Sequence, residues 1–115
     1  MLNHNVFEAQ KNLQRKLKGL VDERESIENV VDMYNAATGA LVQIGEMLQC
    51  DTRWKAHTTG SKKEPVYDKA KFLEEWADVY IYMLNVLIYA GIDDYTAKVA
   101  IAKKQFTNMK RFGIL

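Results

Sequence analysis

Trp76–Ala90, WADVYIYMLNVLIYA, is apolar on nearly every face of a helix, yet it carries one charge, Asp78, and one side-chain amide, Asn85. An ionised group buried alone in such surroundings costs several kcal/mol, so Asp78 calls for a partner, a ligand or a function. Glu75 lies three residues before Asp78 and Asn85 seven after it, which puts all three, with Tyr82 between them, on one helical stripe. The apolar remainder predicts a helix covered on several sides. Trp76, Tyr80 and Tyr89 read as core and interface packing, with Tyr82 set apart by its place on the polar stripe.

Outward from this helix the whole chain reads as helical. One proline and six glycines in 115 residues leave little material for a turn-rich sheet protein. A first helix is expected over about 5–20, with Phe7, Leu13 and Leu17 at helical spacing. A charged turn, Asp22 to Glu25, follows, with Ser26 as N-cap of a second helix that runs to about Gln49. Residues 51–67, DTRWKAHTTGSKKEPVY, are polar, basic and broken by Gly60 and Pro65, and read as a loop. The third helix opens near Asp68 and stops at Gly91; a fourth begins at Asp93 or Asp94 and ends at Gly113. Gly39 and Gly45 inside the second helix point to close helix approach. The expected fold is a single all-α, four-helix bundle-like domain over 1–115.

Charge and cysteine content bound the function. Sixteen Lys and Arg against fifteen Asp and Glu leave a net charge of +1, which gives no argument for nucleic acid or an acidic membrane as partner. The start, MLNHNVFEAQ, lacks the basic and apolar regions of a signal peptide, and the 76–90 run falls short of the roughly 20 apolar residues of a membrane span. A single cysteine, Cys50, fits a reducing compartment and reads as packing. The chain reads as a cytoplasmic protein.

The second helix repeats the oddity of the third. Between Met33 and Cys50 its one charge is Glu46, with Gln43 one turn earlier on the same face. Packed antiparallel, the Gln43/Glu46 and Glu75/Asp78 pairs can meet, and three clustered carboxylates repel strongly unless a cation lies among them. Oxygen donors without His or Cys favour Mg²⁺ or Mn²⁺ over zinc. On the fourth helix Lys104, Asn108 and Arg111 share one face and can reach anionic oxygens. Metal-binding acids and a basic face together suit a polyphosphate. Lys55, Lys62 and Lys63 read either as a phosphate-grabbing lid or as a solvated loop, and His57 as a surface residue.

These motifs resemble the all-α nucleoside triphosphate pyrophosphohydrolases, the superfamily of MazG proteins and dimeric dUTPases. The family's E-x-x-E, spacer, E-x-x-D signature reads here as Gln43-Ile-Gly-Glu46 and, after 28 intervening residues, Glu75-Trp-Ala-Asp78. The stretch from Asn85 to Asp93 resembles the family's Asn and Gly-Ile-Asp turn, and Lys104, Asn108 and Arg111 its K-x-x-x-N-x-x-R ending. DTRWKAH followed by SKKEP resembles its aromatic-plus-lysine segment. The likeness spans about residues 36–113. It implies Glu46, Glu75 and Asp78 as catalytic Mg²⁺ ligands, with Glu46 also orienting the attacking water. It implies Asn85, Lys104, Asn108, Arg111, Trp54, Lys55 and, more distantly, Gln10 as substrate contacts; Tyr82 joins them from its place on the stripe. It further implies a homodimer or tetramer with the site between subunits, and a (d)NTP, foremost dUTP, cleaved to monophosphate and pyrophosphate. One position departs from the signature: Gln43 replaces a glutamate, bringing an amide oxygen but no charge. Two alternatives stand beside the hydrolase, a nucleotide-binding regulatory module without turnover and a helical adaptor whose acids are merely hydrogen-bonded.

Overall fold

The computed structural model describes residues 2–19, 21–23, 25–53 and 65–114. Among them the chain forms α1 (His4–Lys18), a 3₁₀ turn (Val21–Glu23), α2 (Ser26–Gln49), α3 (Lys69–Tyr89) and α4 (Asp94–Arg111), with no strand. No helix there is long and apolar enough to cross a membrane.

The helix ends follow local chemistry. Asn3 caps α1 by accepting from the backbone N–H groups of Asn5 and Val6, Asp68 caps α3 through Lys71, and Asp93 caps α4 through Thr96. Ser26, expected as the cap of α2, is instead its first helical residue. Extended Glu25 precedes it, and the Glu25 carbonyl, not a side chain, takes the N–H groups of Glu28 and Asn29. Gly91, at φ 73°, adopts the left-handed turn that separates α3 from α4.

The base of the expected loop is pinched. Asp51 and Tyr67 form an isolated antiparallel bridge, and the Asp68 N–H donates to the Cys50 carbonyl at 2.8 Å. Arg53 donates twice to the Asp51 carboxylate, at 2.8 and 2.7 Å, while its guanidinium lies 3.9 Å from the centre of the Tyr67 ring.

The contacts from Cys50–Asp68 to Gly39–Tyr82 run in opposite directions along α2 and α3, so the two pack antiparallel. Ala36 and Ala40 are buried, and a Cβ on Gly39 would fall within 3.0 Å of three ring carbons of Tyr82. The close approach read from Gly39 is therefore made. At Gly45 a Cβ would meet nothing within 4 Å, so that glycine serves no packing among the described residues. α1 packs on the later half of α3, where Phe7, Leu84 and Ile88 form the core. Gln10 Nε2 donates to Asn85 Oδ1 at 2.8 Å, and the Tyr89 hydroxyl to Gln14 Oε1 at 2.6 Å, so polar bonds fasten the same junction.

The expectation of an enclosed third helix is corrected within the single chain. Buried residues of α3 are confined to Leu84, Ile88 and Tyr89, while Trp76, Met83 and Asp78 are exposed. The physical reason is coverage: α2 lines one side of α3, α1 reaches its later half, and α4 packs chiefly on α1. The radius of gyration, 17.8 Å, exceeds the roughly 13 Å of a compact chain this long.

The two glycines of α2 should therefore behave oppositely. Gly39→Leu overpacks the seam against Tyr82 and is expected to destabilise by about 2 kcal/mol or more. Gly45→Ala, free of neighbours, is expected to stabilise by about 1 kcal/mol through helix propensity. Urea unfolding of both variants measures the contrast.

Candidate functional site

The antiparallel seam brings the two polar pairs together. The Gln43 amide lies between two acids: with its nitrogen turned toward them it donates to Glu75 Oε2 at 2.5 Å and to Glu46 Oε2 at 3.2 Å. Gln43 and Glu75 are half-buried, Glu46 and Asp78 exposed. Loss of water around Glu75, then the negative charges of Glu46 and Asp78, push its carboxyl above the usual glutamate range, against the opposing charge of Lys71 one turn earlier. Beside them, desolvation and the Glu75 charge push the Cys50 thiol up, which fits its reading as packing.

Three carboxylates on facing i,i+3 pairs are the donor chemistry of a hard divalent cation, while Gln43 turns its N–H groups, not its oxygen, toward them. Their arrangement is looser than a closed site, since the donor atoms of Glu46, Glu75 and Asp78 do not all fall within 4.8 Å of one another. Side-chain rotation alone alters such spacing, because two of the three residues are exposed.

The remaining expected contacts divide. Gln10 and Asn85 are joined by their hydrogen bond, which ties α1 to the same stripe of α3. The Tyr82 ring lies on Gly39 and so serves the α2–α3 seam. Lys104, Asn108 and Arg111 lie on α4, the first and last exposed and Asn108 half-buried. Because α4 packs chiefly on α1, the basic face is not brought onto the acids by helix packing within one chain. Trp54 and Lys55, with His57, Lys62 and Lys63, lie outside the described residues.

Sequence reasoning missed a second polar cluster. His4 Nδ1 lies 2.7 Å from Asp94 Oδ2, and Glu8 completes a trio whose donor atoms are mutually within 4.8 Å. His4 and Glu8 are visibly one helical turn apart, but Asp94 reaches them only through the docking of α4 on α1. Compared with known proteins, the chain matches no family model, no curated protein and no solved structure.

The Glu75 shift has a definite sign. A folded carboxyl held above its unfolded value of about 4.3 binds protons that the unfolded chain has released, so it contributes stability that is lost as pH rises through the folded value. In metal-free buffer, Glu75→Gln is expected to remove that component of the pH dependence, leaving the slopes from Asp51, Asp93 and Asp94 in place. Denaturation of the two proteins across pH, with carboxyl NMR titration of Glu75, measures it.

Proposed function

We propose that the chain is a Mg²⁺-dependent nucleoside triphosphate pyrophosphohydrolase of the MazG/dimeric dUTPase type, acting on a (d)NTP, foremost dUTP. The observation that carries this reading is the meeting of Gln43, Glu46, Glu75 and Asp78 across one seam, with Glu75 raised by loss of water and then by its neighbours' charges. Glu46, Glu75 and Asp78 would hold Mg²⁺ or Mn²⁺, which when bound offsets phosphate charge and acidifies water. Glu46, more exposed than Glu75, would orient or deprotonate the attacking water. Attack at the α-phosphorus breaks its bond to the bridging oxygen and yields a nucleoside monophosphate and pyrophosphate. Lys104 and Arg111 supply positive charge, and Asn108 an amide, for the departing pyrophosphate oxygens. Gln10 and Asn85 offer amide groups at the inner end of the same stripe.

Assembly belongs to this reading. The exposed surface of 8586 Å² compares with about 6,500 Å² for a compact monomer of this mass, and the excess of about 2,000 Å² is ample for a stable interface. Exposed Ile27, Val31, Tyr34, Leu41 and Val42 on α2 provide apolar area for it, as do Ile101, Phe106 and Phe112 on or just beyond α4. A homodimer or tetramer would let α4 of one subunit supply its basic face to the acids of another. Light scattering is expected to give at least twice the 13.3 kDa chain mass.

A second reading has its own observation. Gln43 turned as described presents N–H groups to the acids, a donor where the signature has a ligand, which favours a nucleotide-binding module with little turnover. Pyrophosphate release from a dNTP panel with Mg²⁺ separates the two. Turnover by the native chain, lost by about 100-fold or more in Asp78→Ala and Glu46→Gln, supports the hydrolase. Nucleotide binding without turnover, with turnover appearing in Gln43→Glu, supports the module. Absence of metal-dependent nucleotide binding in both native and Gln43→Glu proteins removes both readings.

A further inference from the structure

We propose that His4, Glu8 and Asp94 form a second metal site, distinct from the α2–α3 acids, that binds a divalent transition-metal ion and staples α4 to α1. The three donor atoms lie within 4.8 Å of one another, a span that small side-chain rotations bring onto one ion with bonds of about 2.0–2.2 Å. His4 and Glu8 are an i,i+4 pair on the first turns of α1, the spacing that sets two side chains on one helix face. Asp94 comes from the first turn of a helix distant in sequence and is nine-tenths buried, so the inner ligand is held in place. The His4 ring, 63% exposed, opens the site to solvent and leaves coordination positions for water.

An imidazole nitrogen with two carboxylates suits Zn²⁺, Co²⁺ or Mn²⁺, whereas Mg²⁺ and Ca²⁺ take oxygen ligands. The partial positive charge at the start of α4, and Lys98 Nζ at 3.9 Å from Asp94 Oδ2, oppose a cation, so the imidazole bond is needed for binding. Without metal, the His4–Asp94 hydrogen bond holds the junction; metal takes the place of the proton between Nδ1 and Oδ2. Since α4 packs chiefly on α1, this junction sets where Lys104, Asn108 and Arg111 stand.

The test uses EDTA-stripped full-length protein titrated with Zn²⁺ alone by calorimetry, with no nucleotide present. One Zn²⁺ per chain is expected, retained when Glu46→Gln and Asp78→Asn remove the seam acids together. His4→Ala and Glu8→Gln should each weaken it by about tenfold or more, with helicity by circular dichroism unchanged. Imidazole NMR of the native protein, in which His4 and not His57 must respond to Zn²⁺, decides the matter even if a variant misfolds. No Zn²⁺ bound by the native chain, equal binding by His4→Ala, or a response confined to His57 overturns the site.

Discussion

The seam between α2 and α3 is the contact on which the rest depends. It exists because Gly39 leaves room for the Tyr82 ring and because Ala36 and Ala40 keep the facing surface of α2 shallow. Small residues let two helix backbones approach, and the approach fixes the register in which Gln43 and Glu46 meet Glu75. The polar cluster is thus a consequence of steric fit one or two turns away. Its strain is electrostatic: the charges of Glu46 and Asp78 bear on Glu75, and the Gln43 amide turned toward Glu46 and Glu75 offsets part of the repulsion.

Around that seam the chain is unevenly covered. Phe7, Leu84 and Ile88 make a small core where α1 crosses α3, and amide and hydroxyl bonds from Gln10 and Tyr89 reinforce it. Elsewhere α2 and α4 carry large apolar side chains in the open. The hydrophobic effect disfavours that exposure, which is the physical ground for reading these faces as places where further protein packs.

Much of the fold was legible from local chemistry. Asp68 and Asp93 cap their helices because short carboxylates reach the first free N–H groups, and Gly91 turns because a left-handed residue is needed after α3. Ser26 was misplaced by one position, since a carbonyl met the N–H groups that its hydroxyl was expected to take. The candidate acids were legible as interruptions of apolar helices. Their exposure was not, because an apolar pattern records that a face is to be covered and not whether the same chain covers it.

The sequence by itself determined four helices, the starts of α3 and α4 and the two polar pairs, because capping, periodicity and spacing act over a few residues. Only the tertiary structure decided that Gln43 bonds the acids it faces, that Tyr82 packs on Gly39, and that Asp94 meets His4 and Glu8. Those outcomes depend on the rotation and register of helices far apart along the chain. Packing the whole surface sets that geometry, and no short stretch encodes it.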